Sequence, residues 1–274
     1  MFQRLWLLWL ICFGVTLPAQ IFKRPIPAGF ISQEWLVDGV KRTALVRLPV
    51  VKSAQPAPVV FGWHGHTGNS ANSIRSWEMD ELWPEAIFVF PQGLPTASPL
   101  VDKEGRFPGW QVEASTNGGR DSKFFDAMLA SLRKEQTVDD RRIYSIGHSN
   151  GAAFSYLLWQ ARGDTLAAIG TVAGVMVKPL GDYRPLPVLH IAGENDPVVK
   201  YEWQKLTFMA VKKINACDEQ AQPWAGSGIL KGEIFPSSKG APLVTVVHAG
   251  KHEYPKGASE LIIRFLKEQA RPVK

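Results

Sequence analysis

Two cysteines, Cys12 and Cys217, are all that 274 residues contain. The first sits in an N-terminal segment that reads as removable, which leaves one thiol and excludes an intramolecular disulfide in the remaining chain. Stability then has to come from a buried core, and a chain of this length with 45% hydrophobic residues can supply one. Long apolar runs are equally scarce. The run at 5–13 is too short for a spanning helix, which takes about 20 residues. Concentrated charge is missing as well. The formal charge is +6, but Lys and Arg are scattered, with only short pairs such as Arg141-Arg142 and Lys212-Lys213. No stripe or arm suits a phosphate backbone, so nucleic acid is not an expected partner. Internal repeats, low-complexity tracts and heptads are absent. His64 and His66 alternate with glycine and have no third ligand beside them, so no metal site is expected.

Arg4 precedes the apolar run, and Pro18-Ala19-Gln20 follows it as a cleavage site. Residues 1–19 therefore read as a secretory signal peptide, and a secreted or periplasmic location follows. Leu17 is larger than the residue preferred before such a cut, so an uncleaved N-terminal anchor is the alternative. Residues 20–274 read as a single domain, because no linker interrupts the periodic segments.

Those segments alternate. Strand patterns at 33–37 and 41–48 meet at Asp38-Gly39, a hairpin sequence. Continuous apolar runs at 58–63, 86–90, 167–173 and 187–192 predict strands buried on both faces, with a last strand at 244–247. Helical spacing appears at 70–82, 121–135, 152–161, 202–214 and 258–268. The result is an α/β fold with a mostly parallel central sheet and helices on both faces. Residues 94–120 break the pattern. They are rich in Pro, Gly, Ser, Thr and Asn, with Phe107 and Trp110 embedded, and are too long for a simple connector; they predict a lip over a site.

Chemistry concentrates at Gly147-His148-Ser149-Asn150-Gly151, placed between a short β-favouring stretch and a helix. A G-x-S-x-G corner between strand and helix forces the serine hydroxyl into the open and aims the next amide, that of Asn150, where a carbonyl oxygen would gain charge. Such a serine needs a base, and the base an orienting acid. Downstream, the strand at 187–192 runs into Gly193-Glu194-Asn195-Asp196-Pro197, and the strand at 244–247 runs into His248-Ala249-Gly250-Lys251-His252. Asp196 lies deeper in its loop than Glu194, the alternative acid. His252 lies beyond the strand end, whereas His248 shares a strand face with Val244 and Val246. His190, inside an apolar strand, reads as a core histidine. Trp63-His64-Gly65-His66 follows another buried strand, and the His66 amide is expected to complete the oxyanion hole. The order Ser149, Asp196, His252 is that of α/β hydrolases. Four tryptophans, Trp77, Trp83, Trp110 and Trp224, could offer an aromatic platform, and Trp110, in the lip, is the substrate-binding candidate.

In these motifs the chain resembles the polyhydroxybutyrate depolymerase and feruloyl esterase-like family of secreted α/β hydrolases, over residues 40–266 or so. The resemblance rests on His64-Gly65, Pro91-Gln92-Gly93, the run from Asp139 through Gly151, the run from His190 through Val198, and Gly250-Lys251-His252-Glu253-Tyr254-Pro255. It implies nucleophile Ser149, acid Asp196, base His252, and no cofactor. The implied substrates are feruloyl or other polysaccharide esters, or hydroxyalkanoate esters. Tyr254 stands where the family usually has Trp, and the family's disulfide cysteines are missing, departures that bear on substrate rather than mechanism. A serine peptidase or thioesterase on the same fold is the rival enzyme reading. A non-catalytic, membrane-anchored binding protein is the rival from another class.

Overall fold

The computed structural model describes residues 25–51, 54–178 and 181–272. The leader expected at 1–19 lies outside them. Among the described residues no helix is long and apolar enough to cross a membrane.

In chain order the elements are β1 (Ile31–Val37), β2 (Val40–Arg47), β3 (Ala57–Trp63), α1 (Ser70–Trp77), α2 (Met79–Leu82), β4 (Ile87–Pro91), β5 (Leu94–Pro95) and β6 (Pro108–Gly109). Then come α3 (Arg120–Glu135), β7 (Val138–His148), α4 (Asn150–Arg162), β8 (Ala168–Val172), β9 (Val188–Gly193), α5 (Tyr201–Asn215), β10 (Gln222–Ser227), β11 (Leu230–Phe235), β12 (Leu243–His248) and α6 (Ala258–Lys267). One ten-stranded sheet runs in the order β1-β2-β4-β3-β7-β8-β9-β12-β11-β10. The strands from β4 to β12 are mutually parallel, and an antiparallel hairpin extends each side. This is the α/β-hydrolase arrangement expected from the sequence.

The first hairpin turns at Asp38 and Gly39, both with positive φ, as a tight two-residue connection between right-twisted strands requires. The hairpin formed by β10 and β11 escaped the sequence reading: its strands alternate weakly and contain Pro223 and two glycines, and such residues are tolerated near a sheet edge. The helix expected over 70–82 is broken at Glu78, whose left-handed backbone ends α1 and starts α2.

Burial follows the two-residue period of the strands. Val60, Phe88, Phe90, Tyr144 and Ile146 face Ile74 and Trp77 of α1 and Leu261, Ile262 and Phe265 of α6. Val59, Phe61, Trp63, Val89 and Ile143 face Phe124, Phe125 and Met128 of α3, Phe154 of α4 and Val211 of α5. Helices thus cover both faces, and the free ends of the parallel strands are where loops can converge.

Candidate active site

Ser149 follows β7 and caps α4 with φ 56° and ψ −119°, a conformation an L-residue adopts only under constraint. The constraint is visible in its neighbours. A Cβ on Gly147 would come within 2.2 Å of the Gly151 carbonyl oxygen, and one on Gly151 within 2.1 Å of that of Trp63. Only glycine lets strand, elbow and β3 approach so closely. The Ser149 amide donates to the Val172 carbonyl at the end of β8, 2.8 Å away, which fixes the corner.

His252 Nε2 lies 2.7 Å from Ser149 Oγ, and its Nδ1 lies 2.7 Å from Asp196 Oδ2. The adjacent parallel strands β9 and β12 set these two loops side by side, with Gly193 opposite His248 in register. Beyond the strand ends, Glu194 N donates to His248 O, Asn195 N to Gly250 O, and Asn195 Nδ2 to Ala249 O, at 2.8 to 3.0 Å. Asp196 is buried, and its Oδ1 accepts from the amides of Val198 and Val199, both at 2.8 Å. Glu194 is exposed. His248 accepts from the Gly250 amide at 3.1 Å and stiffens the turn that carries His252. Glu253 accepts from the Lys251 amide at 2.7 Å within the same turn.

His66 and Asn150 line the cavity together with Ser149. The two histidines after β3 are occupied by the scaffold. His64 Nδ1 donates to Gly65 O at 2.7 Å while Nε2 accepts from the Gly93 amide at 3.0 Å, and burial pushes its pKa down to about 4. His66 Nε2 pairs with Asp102 at 3.0 Å. Among the described residues no group of three His, Cys, Asp or Glu side chains could hold a metal.

Trp110 does not reach the cavity, which corrects the expectation placed on it. Its indole is fully buried, 5.0 Å from the Trp63 ring and 5.7 Å from that of Phe154, and its Nε1–H donates to His64 O at 2.8 Å. An aromatic with a polar handle inside an irregular loop was serving as the loop's core anchor. Trp77 and Trp83 are also buried, and Trp224 packs edge-on to Phe265.

Several contacts at the site could not be read from the motifs. Asn150 Oδ1 accepts from the Trp110 amide at 2.7 Å, and its Nδ2 donates to the Trp110 carbonyl at 3.0 Å. Asp102 accepts from the Phe107 amide at 2.9 Å besides holding His66, so the lip is tied down at two points. Gln204 of α5 is buried behind Asp196. Its Nε2 lies 3.4 Å from Asp196 Oδ2 and 2.8 Å from Val199 O, and its Oε1 accepts from His190 Nε2 at 3.0 Å. His190 Nδ1 in turn accepts from the Tyr156 hydroxyl at 2.7 Å, and burial pushes its pKa down to about 4. His148 stands with its ring centroid 5.2 Å from that of His252; burial, helped by the charge His252 can carry, lowers it to about 4 and keeps it neutral. The buried face of α5 also carries Thr207 and Asn215, so a polar residue there did not single out Gln204.

Ser149 and His252 open into a cavity of about 380 Å³. Pro99, Leu100, Val101 and Val112 of the lip line it together with Val175, Val177, Val198 and Val199. A half-buried hydroxyl held by an imidazole at the mouth of an apolar cleft can carry out acyl transfer.

The chain is 28% identical over 261 residues to feruloyl esterase C of Emericella nidulans, a match covering 89% of this chain and 88% of that protein. To feruloyl esterase D of Neurospora crassa it is 26% identical over 227 residues, covering 79% and 75%. An acetyl xylan esterase from Aspergillus awamori shares the fold with a TM-score of 0.63 at 13% identity, over 86% of this chain and 98% of that one. No family model matches the chain. With esterase relatives matched over most of its length and the α/β-hydrolase fold, the chain is a carboxylic-ester hydrolase, similar to feruloyl esterases.

Proposed function

We propose that Ser149, His252 and Asp196 are the catalytic triad of an exported esterase that releases hydroxycinnamoyl groups, feruloyl above all, from polysaccharide. The observation that carries this reading is the pair of 2.7 Å contacts that His252 makes, one to Ser149 and one to Asp196, at the opening of an apolar cleft. His252 takes the Ser149 proton as the hydroxyl attacks the ester carbonyl, and Asp196 holds Nδ1–H and steadies the imidazolium. The amides of His66 and Asn150 receive the negative oxygen of the tetrahedral intermediate. On collapse His252 returns the proton to the departing sugar oxygen and leaves an acyl group on Ser149. Water, deprotonated by the same imidazole, then attacks that ester, and the free acid and Ser149 hydroxyl are regenerated.

The names of the curated relatives support the feruloyl assignment. A second reading, a small aliphatic acyl group such as acetyl or hydroxybutyryl, is favoured by the walls of the cleft, whose apolar side chains are all aliphatic. The two are separated by kcat/KM on methyl ferulate, p-nitrophenyl acetate and a 3-hydroxybutyrate oligomer, each beside Ser149→Ala. Turnover of ferulate that disappears in the variant is expected. Turnover of the acetate or the oligomer without ferulate would move the assignment to the second reading.

A further inference from the structure

Glu113 is out of place in its surroundings. Apart from Ser98 and the groups at the reacting end, the cleft is walled by Pro, Leu, Val and Ala side chains, and among the described residues Glu113 is the single carboxylate that lines it. It belongs to the lip, and its backbone carbonyl is fixed by Gln111 Nε2 at 3.0 Å and by the Thr116 hydroxyl at 2.8 Å. Its carboxylate meets Lys178 Nζ at 2.7 Å. Lys178 follows Val177, another residue that lines the cleft, so the ion pair joins the lip to the segment after β8. The Glu113 side chain is 37% exposed. In such a setting an ion pair contributes at most about 1 kcal/mol, too little to account by itself for a charge on an aliphatic wall.

A carboxylate has about four lone-pair sites, and one contact with lysine leaves others open. A hydroxycinnamoyl group lying along aliphatic walls buries its ring and brings its phenolic hydroxyl to the end remote from Ser149. That hydroxyl would lose its water partners there unless an acceptor met it. The geometry points to Glu113 as a specificity-determining residue that accepts the hydrogen bond of the acyl group's phenolic hydroxyl, with Lys178 holding the carboxylate in place. This rests on the feruloyl reading and deepens it: the enzyme distinguishes acyl groups by a donor at the 4-position. Ser98 is the other polar side chain of the lip that lines the cleft, and its hydroxyl could also accept.

The test compares kcat/KM for methyl ferulate and methyl 3-methoxycinnamate, which lacks only the 4-hydroxyl, in the wild type, Glu113→Leu, Glu113→Gln and Ser98→Ala. The wild type is expected to prefer ferulate by about tenfold or more, the value of a hydrogen bond to a charged group. Glu113→Leu brings the ratio close to one, Glu113→Gln leaves it intermediate, and Ser98→Ala preserves it. Because each ratio is internal to one variant, a change in folded fraction cancels. A wild-type ratio near one, a ratio unchanged in Glu113→Leu, or a ratio lost in Ser98→Ala alone would overturn the assignment while leaving feruloyl esterase activity standing. Failure to turn over either cinnamate would sink the feruloyl reading and this assignment together.

Discussion

Asn150 and Trp110 exchange two hydrogen bonds, side-chain amide to backbone peptide, and so join the residue after the elbow serine to the middle of the lip. One residue thereby holds two positions at once: its own amide beside Ser149 and the loop that walls the cleft. Asn150→Ala keeps the first and deletes the second. We expect kcat/KM for esters to fall about tenfold or more, since displacing a binding wall by an ångström can cost that much. Proteolytic nicking within 94–120 should quicken in the same variant. Unchanged kinetics and unchanged nicking would show that the lip holds itself.

Trp110 provides a complementary test, because a buried anchor and a substrate platform fail differently. Trp110→Ala should lower unfolding free energy by about 3–5 kcal/mol, the usual loss for a large core aromatic. A urea titration reads this directly. A variant of wild-type stability with a raised KM would restore the tryptophan to the binding surface.

Gln204 sits between the acid of the proposed triad and a buried histidine. In Gln204→Leu the His190 Nε2–H and the Val199 carbonyl lose their partners, each orphaned buried group costing about 1–3 kcal/mol, while Asp196 loses one long contact and keeps His252 and two amides. Stability should drop by that order, and kcat should decline more than KM rises as the carboxylate loosens. Stability and kcat both at wild-type levels would remove Gln204 from the account.

His64, His148 and His190 are each depressed to about 4 by burial. In the unfolded chain the same groups take up protons near pH 6.5. Between those values the unfolded state binds more protons, so stability present at neutral pH is lost as pH falls through 6.5 towards 4. Near pH 5.5, above the carboxylate range, the unfolding free energy should fall by more than about 1.4 kcal/mol per pH unit, beyond what one histidine supplies. Urea unfolding at intervals from pH 7.5 to 5 measures the slope, and a flat profile would contradict the burial argument.

Much of this architecture was legible because it depends on local pattern. Apolar runs gave the parallel strands, and the glycines at 147 and 151 gave the elbow, whose need for glycine is now a matter of 2.1 and 2.2 Å approaches. The proximity of Ser149, Asp196 and His252 could be anticipated because strand ends in such a sheet share one edge. What escaped were relationships made only by tertiary packing. Nothing in the sequence near Trp110 distinguishes an indole turned into the core from one turned to substrate. Gln204 and Asp102 acquire their roles from residues distant in the chain, and the β10–β11 hairpin is held by pairing to β12 more than by its own propensity.

The central claim is that Ser149 is a nucleophile activated by His252. Incubating the protein with a fluorophosphonate and mapping the adduct by peptide mass spectrometry tests it most directly. The account predicts one stoichiometric phosphonyl adduct on the peptide containing Ser149, absent in Ser149→Ala and strongly slowed in His252→Ala. Absence of an adduct on folded protein, or an adduct that persists in Ser149→Ala, would contradict it.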